Sequence, residues 1–234
     1  MIDLILAWSG GKDSALALAA LKADARYRVV GLLTTITSGY DRISIHGVRR
    51  SVLQAQVRAL DLPLIETSIP PNASNSLYEA AFSTALQTAQ ERWPGLQHIA
   101  FGDLFLEEVR QYRETLLSSL RWNGVFPLWG RNTAALAREF VAAGYRAILT
   151  CVDTTQLGPE IAGREFDARL LAELPPSVDP CGERGEFHTC VYAGPLFATD
   201  LPLVPGERVR REARVEYCDV QLGSLAGGRS NVLV

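Results

Sequence analysis

Residues 4–8 form an unbroken apolar run, as in a strand buried on both faces, and residues 13–22 gather Ala15, Leu16, Leu18, Ala19 and Leu21 into a wide apolar face of strong helix formers. A continuous β-branched run over 29–36, an amphipathic helix over 48–60 and a short strand over 64–67 follow. After the break at Pro70-Pro71-Asn72 come a helix over 76–92 and a strand over 97–101, closed by Gly102 and Asp103. Strands alternating with helices predict an α/β fold: a doubly wound parallel sheet with helices on both faces.

Farther on, the pattern predicts helices over 107–120 and 133–143 and a strand over 147–152, with the sheet either continuing or restarting. Beyond Pro175-Pro176 the texture changes, and 187–192 and the alternating 209–217 read as antiparallel strands. These signals divide the chain into a parallel-sheet domain (1–130), a smaller C-terminal α+β module (131–226) and a flexible tail (227–234). No internal repeat or low-complexity tract interrupts them.

The 234 residues suffice for one large α/β domain or for a domain with a smaller module. With 47% hydrophobic and 21% charged residues, the chain has the balance of a folded globular protein. A net charge of -3 and a pI near 5.7 offer no electrostatic footprint for generic nucleic-acid binding. The opening run carries Asp3, lacks a basic leader and enters a glycine turn, so it reads as a buried strand. No apolar run approaches the roughly 20 residues of a membrane span, and a soluble, cytoplasmic protein without membrane partners is expected. Cys151, Cys181, Cys190 and Cys218 form no C-x-x-C pair and are expected to be reduced thiols.

The candidate chemistry begins at Ser9-Gly10-Gly11-Lys12-Asp13-Ser14, between the first strand and the first helix. A glycine-rich turn there presents backbone N–H groups and the positive helix end to an anion. Gly10 and Gly11 permit positive φ and close approach to phosphate oxygens, and Lys12 supplies a movable charge. Ser9 and Ser14 add hydroxyl donors, while Asp13 is a candidate to cap the helix or to hold Mg2+. A Walker A loop is excluded because Leu6 stands where its first glycine belongs, and the dinucleotide fingerprint is absent.

The loop resembles the PP-loop of the N-type ATP pyrophosphatases, which cleave ATP between the α and β phosphates. That resemblance implies a first strand beside the fourth, which would bring Gly102 and Asp103 next to Ser9. Asp103 is a candidate Mg2+ ligand, a loop-ordering group or a helix N-cap. A second signature, Asp179-Pro180-Cys181-Gly182-Glu183-Arg184-Gly185-Glu186-Phe187-His188-Thr189, followed by Pro195-Leu196-Phe197, is similar to that of the diphthine–ammonia ligase family. Arg110-Gln111-Tyr112-Arg113-Glu114, Pro127-Leu128-Trp129-Gly130 and Gly163-Arg164-Glu165-Phe166-Asp167 extend the resemblance through most of the chain.

The resemblance implies an ATP-dependent amide ligase: a carboxylate attacks the α phosphate, pyrophosphate leaves, and ammonia or another amine converts the acyl-adenylate to an amide. Lys12, the loop amides and Mg2+ would stabilise the leaving pyrophosphate. Glu183 and Glu186 become candidates to bind acceptor or ammonia, or to act as general base. The acceptor it implies is a carboxylate such as diphthine on an elongation factor, and a homodimer is admissible. At Arg184, His188 and Ala193 the chain departs from the glycine, glutamate and aspartate usual in the archaeal and eukaryotic ligases. An acidic or phosphorylated substrate would gain Arg184 and His188.

His46, just before a helix, approaches nucleotide or acceptor, or is a buried or capping residue. Cys181 and Cys190 flank His188 without a usual metal-ligand spacing, yet keep a sulfurtransferase sharing the adenylating half as an alternative. A non-catalytic adenine-nucleotide-binding regulator is the other. Trp122 and Trp129 are expected in the core or at a domain interface, and Arg208 to Arg214 on the wet face of a strand.

Overall fold

The computed structural model of the chain describes residues 1–44, 46–211 and 213–223. The tail expected at 227–234 and the last residues of the module before it lie outside them. The first half alternates as its apolar pattern requires: β1 (Ile2–Ala7), α1 (Lys12–Ala23), β2 (Tyr27–Thr37), β3 (Arg42–Ile43), α2 (Arg50–Leu60), β4 (Leu64–Ile69), α3 (Asn75–Arg92), β5 (His98–Ala100), α4 (Glu107–Ser119) and β6 (Asn123–Val125). Strands β4-β2-β1-β5-β6 run parallel in that order, and the short β3 lies antiparallel on the end of β2.

Successive side chains of a strand point to opposite faces. Leu4 and Leu6 accordingly join Leu16, Leu18, Val52 and Leu53 of α1 and α2, whereas Ile5 joins Phe82 and Leu86 of α3 and Leu117 of α4. Helices therefore cover both faces of the sheet. Local chemistry sets some of their starts: the Ser74 hydroxyl accepts from the Leu77 N–H at the head of α3.

Beyond Gly130 the sheet restarts. α5 (Thr133–Ala142), β7 (Arg146–Asp153), α6 (Ala168–Glu173), β8 (Phe187–Ala193), β9 (Leu203–Arg211) and β10 (Val215–Leu222) follow, and the strands form an antiparallel sheet ordered β8-β7-β10-β9. The alternating stretch 209–217 contains a hairpin turn, with Arg211 paired to Val215 and Ala213 left-handed at φ 57°. Alternation persists on both arms of a hairpin, so a period of two does not mark the turn.

The two sheets share one apolar cluster, in which Ile148, Phe166, Phe187 and Val191 pack with Leu6, Leu16 and Val52. Across the joint, Asp219 of β10 meets Arg42 at 2.8 Å and Arg49 at 2.6 Å. Burial opposes ionisation of Asp219, yet the hydrogen bonds from Arg49 and Arg42 outweigh it and drive the carboxyl down to about 2. Among the described residues no helix is long and apolar enough to cross a membrane.

Candidate active site

The chain runs outward from β1 to β2 and β4, then crosses back to β5 on the other side of β1. Loops leaving the carboxyl ends of strands diverge at such a reversal and form a crevice. The Ser9–Ser14 loop leaves β1 there, and Gly102 leaves β5 against it: a Cβ on Gly102 would lie 2.9 Å from the carbonyl carbon of Asp13.

Gly10 adopts φ +76°, while Gly11 is the N-cap of α1 at φ -93° and receives no side-chain cap. Of the two glycines, only Gly10 uses the left-handed region. Gly11 is constrained by space instead, since a Cβ there would lie 3.1 Å from the Thr189 carbonyl oxygen and 3.3 Å from His46 Cε1. Ser14 Oγ donates to the Gly11 carbonyl at 2.8 Å, and the Gly11 N–H and the Ser14 hydroxyl both lie 3.3 Å from Ser9 Oγ. The two hydroxyls thus lie together at the start of α1, the kind of helix end that attracts an anion.

Lys12 does not lie in solvent. It is 2% exposed; its Nζ donates to Asp13 Oδ2 at 2.9 Å and to the Cys181 carbonyl, and sits 5.3 Å from the Phe187 ring centre. Its own N–H donates to Thr189 Oγ1 at 3.0 Å. Burial works against the ammonium, but the Asp13 carboxylate, with Cys181 and Glu183 adding to its effect, holds Lys12 above its ordinary pKa. Asp13 thus pairs with the lysine and does not cap the helix, and burial pushes its carboxyl up against the pull of Lys12.

Asp103 is also paired: its Oδ1 accepts from Arg113 Nη2 at 3.2 Å, and its Oδ2 lies 2.7 Å from Arg113 Nε. It is not a helix cap, because the N-cap of α4 is Leu106. Asp13 Oδ1 is buried without a hydrogen-bond partner. Among the described residues no three His, Cys, Asp or Glu side chains converge as a metal-holding group.

Glu183 reaches the same corner from the 179–186 turn and accepts from the Leu104 N–H at 2.8 Å. Burial, with the neighbouring charges of Asp13 and Asp103, pushes its carboxyl up to about 7, and the Leu104 amide only partly opposes this. Glu186 has a different role. Fully buried, it accepts from the N–H groups of Asp179 and Arg184 at 2.8 and 2.9 Å and closes the turn on itself. Arg184 is exposed and lies over the Phe105 ring at 5.3 Å.

His46 and His188 meet with ring centres 4.5 Å apart. Burial lowers His46 to about 4 and takes His188 well below its ordinary value, with His46 and Lys12 adding to the effect. Burial thus disfavours the charged form of both rings. Burial pushes the Cys181 and Cys190 thiols up to about 12 and Cys151 to about 11, which suppresses the thiolate that sulfur chemistry needs. Of the two tryptophans expected in the core or at an interface, Trp122 is buried and Trp129 lies under the Arg110 guanidinium at 4.7 Å.

Sequence reasoning missed the side chains that join the loop to β8. Gln56 is fully buried and bonded to Trp8, Gly10 and Val191. Asp179 binds the Cys181 N–H at 2.9 Å and the Thr133 hydroxyl at 2.7 Å. A polar residue inside the apolar face of a helix, as at Gln56, was the available signal.

Comparison with known proteins bears on the same residues. A family model described as the diphthamide synthase C-terminal domain matches residues 132–225, which include the 179–186 turn and β8. The diphthine–ammonia ligase of Schizosaccharomyces pombe is 25% identical over 222 residues, 88% of this chain and 36% of the yeast protein. Those of Mus musculus and Rattus norvegicus are each 25% identical over 165 residues, 67% of this chain and 58% of theirs. The chain is thus distantly similar to diphthine–ammonia ligases, most specifically over its C-terminal part. It spans about a third of the yeast relative and a little over half of the rodent ones. The segment that the C-terminal model matches supplies Cys181, Thr189 and Val191, which bond to the Ser9–Ser14 loop, and Glu183, which accepts from Leu104 ahead of α4.

Proposed function

We propose that the chain is an ATP-dependent amide ligase of the diphthine–ammonia ligase type, forming AMP and pyrophosphate as it adenylates a carboxylate for attack by ammonia. The observation that carries this reading is the uncapped start of α1, with its serine hydroxyls, at the sheet's reversal point and with the raised Glu183 carboxyl beside it. In this reading the Ser9, Gly10, Gly11 and Ser14 groups hold the β and γ phosphates, and the α phosphorus stays open to the acceptor carboxylate. Lys12 serves the pyrophosphate by exchanging the Cys181 carbonyl for a phosphate oxygen. Division of the chain near Gly130 separates a nucleotide-binding half from an acceptor-binding half.

The unpartnered Asp13 Oδ1 fits a cation, and Asp13 and Asp103 are the residues that would hold Mg2+. Magnesium commonly takes one or two carboxylates and completes its shell with phosphate and water oxygens, so the lack of a third ligand among the described residues fits that use. When bound, it supplies charge neutralisation to the leaving pyrophosphate. Glu183, poised near neutrality, takes a proton from ammonium or from the attacking amine. Glu186 acts only through the shape of the turn.

Diphthine is the acceptor suggested by the relatives' names, and the resemblance drawn from the sequence motifs implies that an elongation factor carries it. Incubation with α-labelled ATP, magnesium, ammonium and that acceptor is expected to release AMP and pyrophosphate and to yield an amide. ADP and phosphate would contradict the phosphate assignment, and tight ATP binding without turnover across carboxylate acceptors would favour a regulator.

A further inference from the structure

Gln56 lies on α2, outside the loop, yet controls its central peptide. Its side chain is fully buried: Oε1 accepts from Trp8 Nε1 at 3.1 Å, and Nε2 donates to the carbonyls of Gly10 at 3.0 Å and Val191 at 2.7 Å and lies 3.7 Å from Cys190 Sγ. The orientation of the amide follows from its partners, because an indole N–H can only donate and a carbonyl can only accept. The Gly10 carbonyl receives a second bond, from the Val191 N–H at 2.8 Å. This carbonyl is therefore held firmly toward α2 and β8.

A trans peptide is planar, with its N–H opposite its C=O. Fixing the Gly10 carbonyl against Gln56 and Val191 therefore turns the Gly11 N–H the other way, toward the Ser9 hydroxyl and the uncapped end of α1. Glycine suits position 10 on two counts: its φ of +76° strains any residue with a side chain, and a Cβ there would lie 2.7 Å from Gln56 Oε1 and force that amide to shift. We propose that Gln56 is the positioning residue of the anion site: it sets the Gly10–Gly11 peptide so that the Gly11 N–H faces the pyrophosphate portion of the nucleotide. This inference rests on the phosphate-binding reading above.

The test uses the full chain and two ligands, ATP and inorganic pyrophosphate, each measured by calorimetry. In Gln56→Met, which keeps the volume and loses the donors, both dissociation constants should rise by about ten- to a hundredfold, the scale of losing a hydrogen bond to a charged group. Gln56→Asn, with an amide too short to reach both carbonyls, should fall in the same range. A merely structural role would lower the melting temperature and the active fraction while leaving the affinity of the folded fraction unchanged. Affinities within about twofold of wild type in either folded variant would overturn the inference. Should neither variant fold, the wild-type protein still decides: the Gln56 side-chain amide proton resonances should exchange slowly and shift on addition of pyrophosphate, and an unshifted pair overturns the proposal. Absence of ATP and pyrophosphate binding by the wild type would instead count against the phosphate-binding reading itself.

Discussion

Lys12 donates from its Nζ to the carbonyl oxygen of Cys181, 169 residues away, and so ties the first helix of the parallel sheet to the turn that opens β8. The same ammonium binds Asp13, so it is both the charge expected to meet a phosphate and a link between the two sheets. Lys12→Met, which fills the space beside the Phe166 and Phe187 rings without the charge, should release AMP about a hundredfold more slowly or worse. It also leaves Asp13 without its cation, and denaturant unfolding should show a loss of about 1–3 kcal/mol.

The Glu183 carboxyl, raised to about 7 from an ordinary 4.5, gives a pH dependence of definite sign. The base form grows as pH rises, so amide formation should climb through about pH 7 and level off above it, and Glu183→Gln should flatten that profile. Stability moves the opposite way. The folded protein retains a proton between pH 4.5 and about 7 that the unfolded chain has lost, so this contribution is present at low pH and disappears as pH rises through the folded value. Urea unfolding across that window should show the decline in the wild type and not in the glutamine variant.

The buried thiols make a further distinction. Cys181→Ser and Cys190→Ser should keep amide formation within about threefold of wild type while costing about 1–2 kcal/mol of stability for a buried hydroxyl. Abolished turnover in a folded variant would revive the sulfurtransferase alternative.

Asp219 carries the electrostatic joint between the sheets. Its depressed pKa gives stability that is present above the ordinary value of 3.8 and lost as pH falls toward about 2. Asp219→Asn should be less stable by about 1–3 kcal/mol near neutrality and should lack that acid-dependent component.

Much of this architecture was legible in the sequence because apolar spacing determines which residues must be buried. The alternation of Leu4, Ile5 and Leu6 between two cores, and the pairing of Ile5 with Ile99, are direct consequences of strand geometry and of the chain's reversal at β5. The hairpin within 209–217 was hidden because both arms keep the same period. Burial of Lys12 was hidden for another reason: its partners, Cys181, Phe166 and Phe187, are distant in sequence, and a lysine in a glycine loop has the same local signature whether it faces solvent or a second sheet. Glu183 and Glu186 are equally acidic in sequence, and only their amide partners separate the half-buried carboxyl beside Asp13 from the one that closes the turn.

The most direct measurement is a crystal structure of the chain with ATP and magnesium. The account predicts β and γ phosphate oxygens within hydrogen-bond reach of the Gly11 N–H and the Ser9 and Ser14 hydroxyls, with Lys12 Nζ moved from the Cys181 carbonyl onto a phosphate. Phosphates bound away from the start of α1, with the Lys12–Cys181 contact intact, would contradict it.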